Sequence, residues 1–165
     1  MIKLSRSRWL ALVIAAIVAV DWITKALVQQ RLPLYDRRPL IDGLLSFMHT
    51  MNTGISWGFF KNLPEGIRLP LIAVLTLVGI GVAVWMMWDT HDRWQQIAGA
   101  LVLGGALGNL GDRLVNGGVT DFIYVHFFPY IFNVADISIT IGGVILAARM
   151  LLDRPRDEAS APTHA

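Results

Sequence analysis

The segments GGALGNLGDR (104–113), VTDF (119–122) and FNVAD (132–136) place polar side chains beside stretches that are as apolar as lipid. Their charged and amide members are Asp112, Asp121, Asp136, Arg113, Asn109 and Asn133. An ionised side chain at the centre of a bilayer costs about 2.5–3.5 kcal/mol on insertion scales, so a cluster of them usually faces a bundle interior or a wet cavity. The three segments therefore indicate a functional site inside a helical membrane fold.

The composition of the whole chain supports a membrane protein. Of 165 residues, 55% are hydrophobic and only 16% charged, and the mean hydropathy is +0.54, beyond what a soluble domain of this size normally carries. A chain of 18.3 kDa is expected to be one domain, residues 1–165. It has no cysteine, which excludes disulfides, thiolate metal sites and a cysteine nucleophile. For the same reason the chain cannot itself be a lipoprotein.

Several other function classes are disfavoured by what the sequence lacks. The net charge of +2 is too small to favour nucleic acid as a partner, and no basic run with interleaved aromatic residues occurs. The four histidines show no HExxH spacing, so a metalloprotease is disfavoured, and no GxSxG motif is present. No metal and no cofactor are expected.

Four apolar stretches are predicted to be transmembrane helices, at about residues 9–28, 69–88, 96–114 and 136–152. A helix of 20 residues spans about 30 Å, the thickness of the hydrocarbon core. The first stretch could instead be a cleaved signal peptide, but Asp21 and Lys25 continue on one helical face, which a discarded peptide would not require. Pro70 is expected in the first turn of the second helix, where its missing N–H is harmless.

A polar segment, residues 29–68, separates the first two helices. Residues 44–51 favour a strand, and Asn52-Thr53-Gly54 predicts a turn followed by the apolar side chains of Ile55, Trp57, Phe59 and Phe60. The predicted fold is an α-helical integral membrane protein. It has four transmembrane helices and a small extracytoplasmic β-containing region between helices 1 and 2. Residues 153–165 are expected to be a flexible cytoplasmic tail.

The orientation in the membrane is almost undetermined by charge. Four spans place both termini on one side, and the 14 Lys and Arg residues then divide evenly between the two sides. The basic leader before helix 1 tips the prediction towards cytoplasmic termini. The C-terminal ends of helices 1 and 3 and the N-terminal end of helix 4 then meet at the outer face, where one polar cluster is expected.

Two aspartates close together at low dielectric share a proton, and such a pair supplies an acid and a base at neutral pH. Asp112 next to Arg113, and Asp21 four residues before Lys25, look charge-balanced and therefore structural. Asp121 and Asp136 remain as uncompensated candidates, although Asp136 could simply cap a helix.

The polar residues occur in five motifs: DWITK (21–25), NTGISWG (52–58), GNLGDR (108–113), VTDF (119–122) and FNVAD (132–136). In this order on four spans they closely resemble the lipoprotein signal peptidases, the type II signal peptidases of bacteria. The resemblance implies an aspartyl endopeptidase of the inner membrane. Such an enzyme cuts a prolipoprotein before its diacylglyceryl-modified cysteine, and its active site lies at the periplasmic face. Its partners would be the lipidated prolipoprotein and membrane lipid, and it would act as a monomer.

The resemblance also implies roles for individual residues. The catalytic aspartates would be Asp121 and Asp136. The positions that hold substrate or orient the two aspartates would be Asn52, Gly54, Asn109, Arg113 and Asn133, and the structural supports would be Asp21, Lys25 and Asp112. For Asn109, Arg113 and Asn133 a purely structural role as hydrogen-bonding groups between helices is the alternative.

Two residues depart from the family pattern. Trp22 stands where glutamine is usual, and Gly111 stands where a larger residue is usual, so the local packing around Lys25 and Asp112 is expected to differ. Two other function classes stay open on the residues alone. A small proton- or ion-relay protein would need polar groups through the full depth of the bilayer, whereas these gather at one end. An assembly subunit without chemistry would tolerate neutralised aspartates.

Overall fold

The computed structural model describes residues 6–54, 60, 62–88 and 90–152. Over these residues the chain forms four helices and four strands in the order α1 (Arg6–Arg31), β1 (Arg37–Ile41), β2 (Leu45–Asn52), α2 (Glu65–Trp88), α3 (Arg93–Asn116), β3 (Val119–Val125), β4 (Ile131–Phe132) and α4 (Val134–Leu152). The predicted C-terminal tail lies outside the described residues. So do Ile55, Trp57 and Phe59 of the apolar segment predicted after the turn.

Three of the described helices, α1, α2 and α4, are long and apolar enough to cross a membrane, which confirms the mainly helical membrane fold. The third helix, α3, differs from them because it packs against all three. Its buried residues are small or polar and include Ala98, Gly104 and Asn109. A helix shielded by its neighbours needs no apolar surface, so α3 can carry polar groups that face protein.

The helix ends differ from the sequence prediction in one instructive case. The second helix begins at Glu65, so Pro70 lies inside the helix, and the expectation that it would fall in the first turn was wrong. The helix begins early because Pro64 accepts backbone hydrogen bonds from Ile67 and Arg68. Proline at this depth leaves one backbone carbonyl of the preceding turn without its usual helical donor.

The two ends of α3 are capped by local chemistry. The Asp92 carboxylate accepts a hydrogen bond from the Trp94 N–H at 3.0 Å, which satisfies one of the free donors of the first turn. At the other end Gly117 adopts φ 72°, and its N–H donates to the Arg113 carbonyl. A left-handed cap favours glycine. The helix ends at Asn116, close to the predicted end at about residue 114.

The strands form one antiparallel sheet in the order β1-β2-β3-β4. Its first two strands lie between α1 and α2, as predicted, but its other two come from the connection between α3 and α4. In the pairing of β2 with β3, Thr50 lies opposite Asp121 and Asn52 opposite Val119. This pairing brings the turn after β2 next to the aspartate of β3.

Glycines on α3 let the neighbouring helices approach its backbone. A Cβ atom at Gly104 would stand 2.9 Å from the Ile17 side chain of α1, and one at Gly105 would stand 2.5 Å from the Ala135 carbonyl oxygen of α4. Gly104 and Gly108 have the GxxxG spacing, which permits this close approach of helix backbones. It carries α1 and the first turn of α4 to the polar end of α3.

Candidate active site

Asp121 lies on β3 and is 3% exposed, and it is held by two side-chain amides. The Asn52 amide donates to its Oδ2 at 3.0 Å, and the Asn133 amide donates to its Oδ1 at 2.7 Å. The Thr50 hydroxyl, from the facing strand, donates to the Asp121 backbone carbonyl. Both carboxylate oxygens therefore have a fixed donor.

Asp136 lies in the first turn of α4 and forms a reciprocal cap with Asn133. The Asp136 N–H donates to Asn133 Oδ1 at 2.9 Å, and the Asn133 N–H donates to Asp136 Oδ2 at 3.2 Å. Asn109 donates from its side-chain amide to Asp136 Oδ1 at 2.9 Å. The capping role that the sequence left open is real, and a carboxylate at a helix N-terminus is electrostatically favoured. Asp136 is half-buried and lines the same cavity as Asp121.

Asn52 and Asn109 each have the orientation of the side-chain amide set by a second contact. Asn52 Oδ1 accepts from the Gly54 N–H, so its NH₂ group points to Asp121. Asn109 Oδ1 accepts from Asn133, so its NH₂ group is free to reach Asp136. Because an amide has one acceptor end and one donor end, these contacts leave donors aimed at both carboxylates.

Arg113 ties α3 to the turn after β2. Its guanidinium donates to the backbone carbonyl of Gly54 at 3.1 Å and to that of Asn109 at 3.3 Å. The expectation that Arg113 balances the neighbouring Asp112 was wrong, because consecutive helical residues point in different directions. Arg113 instead fixes the turn whose Asn52 donates to the first aspartate.

Lys25 is the cation that balances Asp112. Its ammonium lies 2.8 Å from Asp21 Oδ2, 3.5 Å from Asp112 Oδ2 and 2.9 Å from Asn109 Oδ1. The predicted pair of Asp21 with Lys25 is confirmed, and both side chains are buried. Asp21 also accepts the Ala135 N–H at 2.9 Å, which ties α1 to the start of α4.

Two supporting residues, Gln29 and Thr120, were not predicted from the sequence. Asp112 Oδ2 accepts the Thr120 N–H at 2.6 Å, and the Gln29 amide donates to the Thr120 hydroxyl at 2.7 Å. These contacts hold the strand residue directly before Asp121. Gln29 continues the i, i+4 series of Asp21 and Lys25 along one face of α1, and that spacing was the signal that could have found it.

The pKa of Asp121 is raised to about 7. Burial is the largest cause, because removal from water disfavours the charged carboxylate, and the negative charge of Asp136 acts in the same direction. The hydrogen bonds from Asn52 and Asn133 oppose the rise. Asp121 can therefore hold a proton near neutral pH and release it in a reaction.

A cavity of about 540 Å³ opens onto the two aspartates. Its polar end contains Asp121 and Asp136, with Asn52, Asn109 and Arg113 around them. The remainder of its wall is mainly apolar and comes from three helices and the sheet, including Val102, Ala106, Ile137, Ile141 and Phe132. An apolar cavity with polar groups gathered at one end suits a long amphiphilic molecule.

Within the described ranges, no group of three or more His, Cys, Asp or Glu side chains is arranged to hold a metal ion. The residues at the polar end of the cavity are two carboxylates, amides and one guanidinium. They offer proton transfer and hydrogen bonding.

Fold and site together define a helical membrane protein with a polar site built around two carboxylates at the end of an apolar cavity. The chain belongs to the signal peptidase II family, whose sequence profile, described as Signal peptidase (SPase) II, matches residues 13–152. The resemblance inferred from the five motifs is confirmed, and the chain is a membrane protein of a peptidase family.

Relatives and solved structures agree with this assignment. The chain is 37% identical to a lipoprotein signal peptidase of Pseudomonas aeruginosa over 96% of each chain, and 35% identical to one of Aquifex aeolicus over 92% of each. Two solved structures described as bacterial membrane enzymes are similar in fold. One has a TM-score of 0.83 at 27% identity, over 97% of this chain and 98% of that one. The other has a TM-score of 0.79 at 28% identity, over 93% and 99%.

Proposed function

We propose that this protein is an aspartic endopeptidase that removes the signal peptide from diacylglyceryl-modified prolipoproteins, cutting before the lipidated cysteine. The observation that carries the proposal is the arrangement of Asp121 and Asp136. Both line the end of one cavity, and both are held by Asn133, through its side chain on one and its backbone N–H on the other. Membership of the signal peptidase II family supports the substrate class.

The two aspartates take different roles in the proposed reaction. Asp136 lies at a helix N-terminus, where the helix dipole favours a carboxylate, so we assign it as the base. It takes a proton from water as the water oxygen attacks the carbonyl carbon before the modified cysteine. Asp121, protonated because of its raised pKa, gives its proton to the departing amide nitrogen as the peptide bond breaks. The catalytic step consumes one water and needs no covalent intermediate with the enzyme.

The cavity provides a seat for the segment to be cut. Its apolar wall, from α2, α3 and α4, would contact the end of the signal peptide and the lipid chains, while its polar end would hold the scissile peptide. Arg113 would stay on the Gly54 carbonyl and keep the turn after β2 beside the substrate. The apolar wall next to the polar end keeps bulk water away from the reacting bond.

We further propose that α3 also spans the membrane, which makes four spans in all. In this proposal the termini are cytoplasmic and the site is at the periplasmic face of the inner membrane. The 24 residues of α3 give the helix a length of about 36 Å at 1.5 Å per residue. The polar residues meet at one end of the helices, as four alternating spans require. They are Asn109 and Arg113 in the C-terminal part of α3, Lys25 in the C-terminal part of α1, and Asp136 at the start of α4. Action as a monomer is part of the same proposal.

The proposal is tested by incubating the purified protein in detergent with a diacylglyceryl-modified prolipoprotein and following the shift of the product on a gel. The parent chain should release the signal peptide from the modified substrate, and the same precursor without lipid should stay intact. No cleavage by the folded parent would reject the proposal and leave the relay and assembly functions.

The alkaline limb of the pH profile should report Asp121. Because the pKa of this residue is about 7 and the acid form is required, cleavage should fall about tenfold per pH unit above that value. Asn52→Ala removes a hydrogen bond that lowers the pKa, so it should move the limb to higher pH. The measurement is kcat/KM from pH 5 to pH 9. A limb that stays in place in this variant would contradict the role of Asp121.

A further inference from the structure

The contact between Trp22 and Gly111 joins α1 to α3 one turn away from the buried Lys25. A Cβ atom at Gly111 would stand 2.3 Å from Trp22 Cζ2 and 3.0 Å from Cε2, so one edge of the indole fills the place where a side chain would be. The two residues expected to alter the packing around Lys25 and Asp112 therefore lie against each other. A larger ring on one helix is matched by a missing side chain on the other.

This contact continues a line of close approaches along the same two helices. A Cβ at Gly104 would meet Ile17, and one at Gly108 would stand 2.6 Å from Asp21 Oδ2. Glycine inside a helix costs about 1 kcal/mol relative to alanine, so Gly111 weakens the helix itself. The close fit of the indole is what this glycine permits.

The residues next to the contact are linked by hydrogen bonds to the Asn109 amide, which donates to Asp136. Trp22 lines a cavity of about 170 Å³ together with Lys25 and Asp112. Lys25 donates to Asn109 Oδ1 at 2.9 Å, and Asn109 in turn donates to Asp136 Oδ1 at 2.9 Å. Two hydrogen bonds therefore connect Lys25 of α1 with Asp136, so the position of α1 on α3 affects the contacts of Asp136.

We propose that Trp22 and Gly111 act as one steric unit that sets α1 on α3, so that Lys25 orients the Asn109 amide towards Asp136. The inference rests on the proposed peptidase function and adds two positioning residues to it. Neither residue lines the larger cavity or touches the aspartates. Their effect on the reaction passes through Lys25 and Asn109.

If Trp22 and Gly111 form one steric unit, the effect of a substitution at one residue should be compensated by a substitution at the other. Gly111→Ala alone brings a methyl group against the outer edge of the indole, and because alanine is the better helix former, a loss of activity in this variant is steric. Trp22→Gln alone leaves a gap beside Lys25. In the double variant the added methyl group and the smaller side chain fit again, and the loss should be recovered.

The test is a double-mutant cycle on full-length protein in detergent, with kcat, KM, the pH profile and the melting temperature measured for all four proteins. Gly111→Ala should lower kcat on the order of tenfold, with KM changed less than about twofold, and the double variant should return to within about threefold of the parent. Gly81→Ala and Trp85→Gln are the controls, because Gly81 has open space around it and Trp85 is 73% exposed on α2. Both should match the parent.

The outcomes separate the inference from the function on which it rests. Losses that simply add in the double variant, or that follow the melting temperature with kcat per folded enzyme unchanged, would overturn the positioning role. A parent that does not cleave would reject the proposed function and the positioning role with it. In that case the melting temperatures still decide whether the steric unit exists: recovery in the double variant supports it, and additive losses reject it.

Discussion

Replacing either Asp121 or Asp136 with asparagine is expected to lower kcat on the order of a thousandfold or more, while the protein stays folded. Asparagine has nearly the same shape, but it can neither give nor take the proton that the proposed reaction moves. The measurement is the gel-shift assay with a lipid-modified prolipoprotein, together with melting temperatures in detergent. Asp42→Asn is the matched control, because Asp42 is exposed in the turn between β1 and β2.

Each variant should also lose one hydrogen bond at the altered side chain, because each carboxylate accepts two donors. In Asp121→Asn the new side chain keeps one acceptor, whereas two amides, those of Asn52 and Asn133, now donate to this carboxylate. One donor therefore loses its partner, which offsets the gain from removing a buried charge. Substantial activity in either variant, with Asp42→Asn normal, would remove the residue concerned from the chemistry.

Asn133→Ala is expected to lower kcat about a hundredfold and to reduce the stability of the protein by about 1 kcal/mol. The loss of activity follows because the side chain donates to Asp121 at 2.7 Å and to Asn109 at 3.2 Å. The loss of stability follows because Asn133 Oδ1 accepts the Asp136 N–H at the start of α4. The measurements are kcat and the melting temperature.

Asn133→Ser separates these two effects. Serine caps a helix nearly as well as asparagine, but it has no amide group to donate to Asp121. The serine variant should therefore recover the melting temperature and not the activity. If serine restored both, Asn133 would be a helix cap without a part in the reaction.

The cation that balances Asp112 could not be identified from its neighbours in the sequence. Its neighbour in sequence is Arg113, and charge balance between them looked sufficient. In the folded protein Arg113 reaches Gly54, 59 residues away, and Asp112 lies 3.5 Å from Lys25 of another helix. Which charges meet depends on how the helices are rotated and packed, and sequence adjacency does not contain that information.

The sheet illustrates the same limit. Local signals, the strand-favouring residues 44–51 and the turn after them, predicted β2, but they carry no information on its pairing with β3. The pairing of these strands joins residues about 70 positions apart, and it is this pairing that brings Asn52 to Asp121. A register between strands so far apart in the chain depends on which face of each strand is buried in the folded protein.

By itself the sequence determined the membrane class, the approximate positions of the helices, the family and the two candidate aspartates. Those conclusions rest on composition, on periodicity and on motifs that are contiguous in the chain. Only the tertiary structure decided how the donors are aimed: Lys25 on Asn109, Asn109 on Asp136, and Asn52 on Asp121. It also decided that Trp22 lies against Gly111. The physical reason is that hydrogen-bond direction and steric fit act over a few ångströms between residues that only folding brings together.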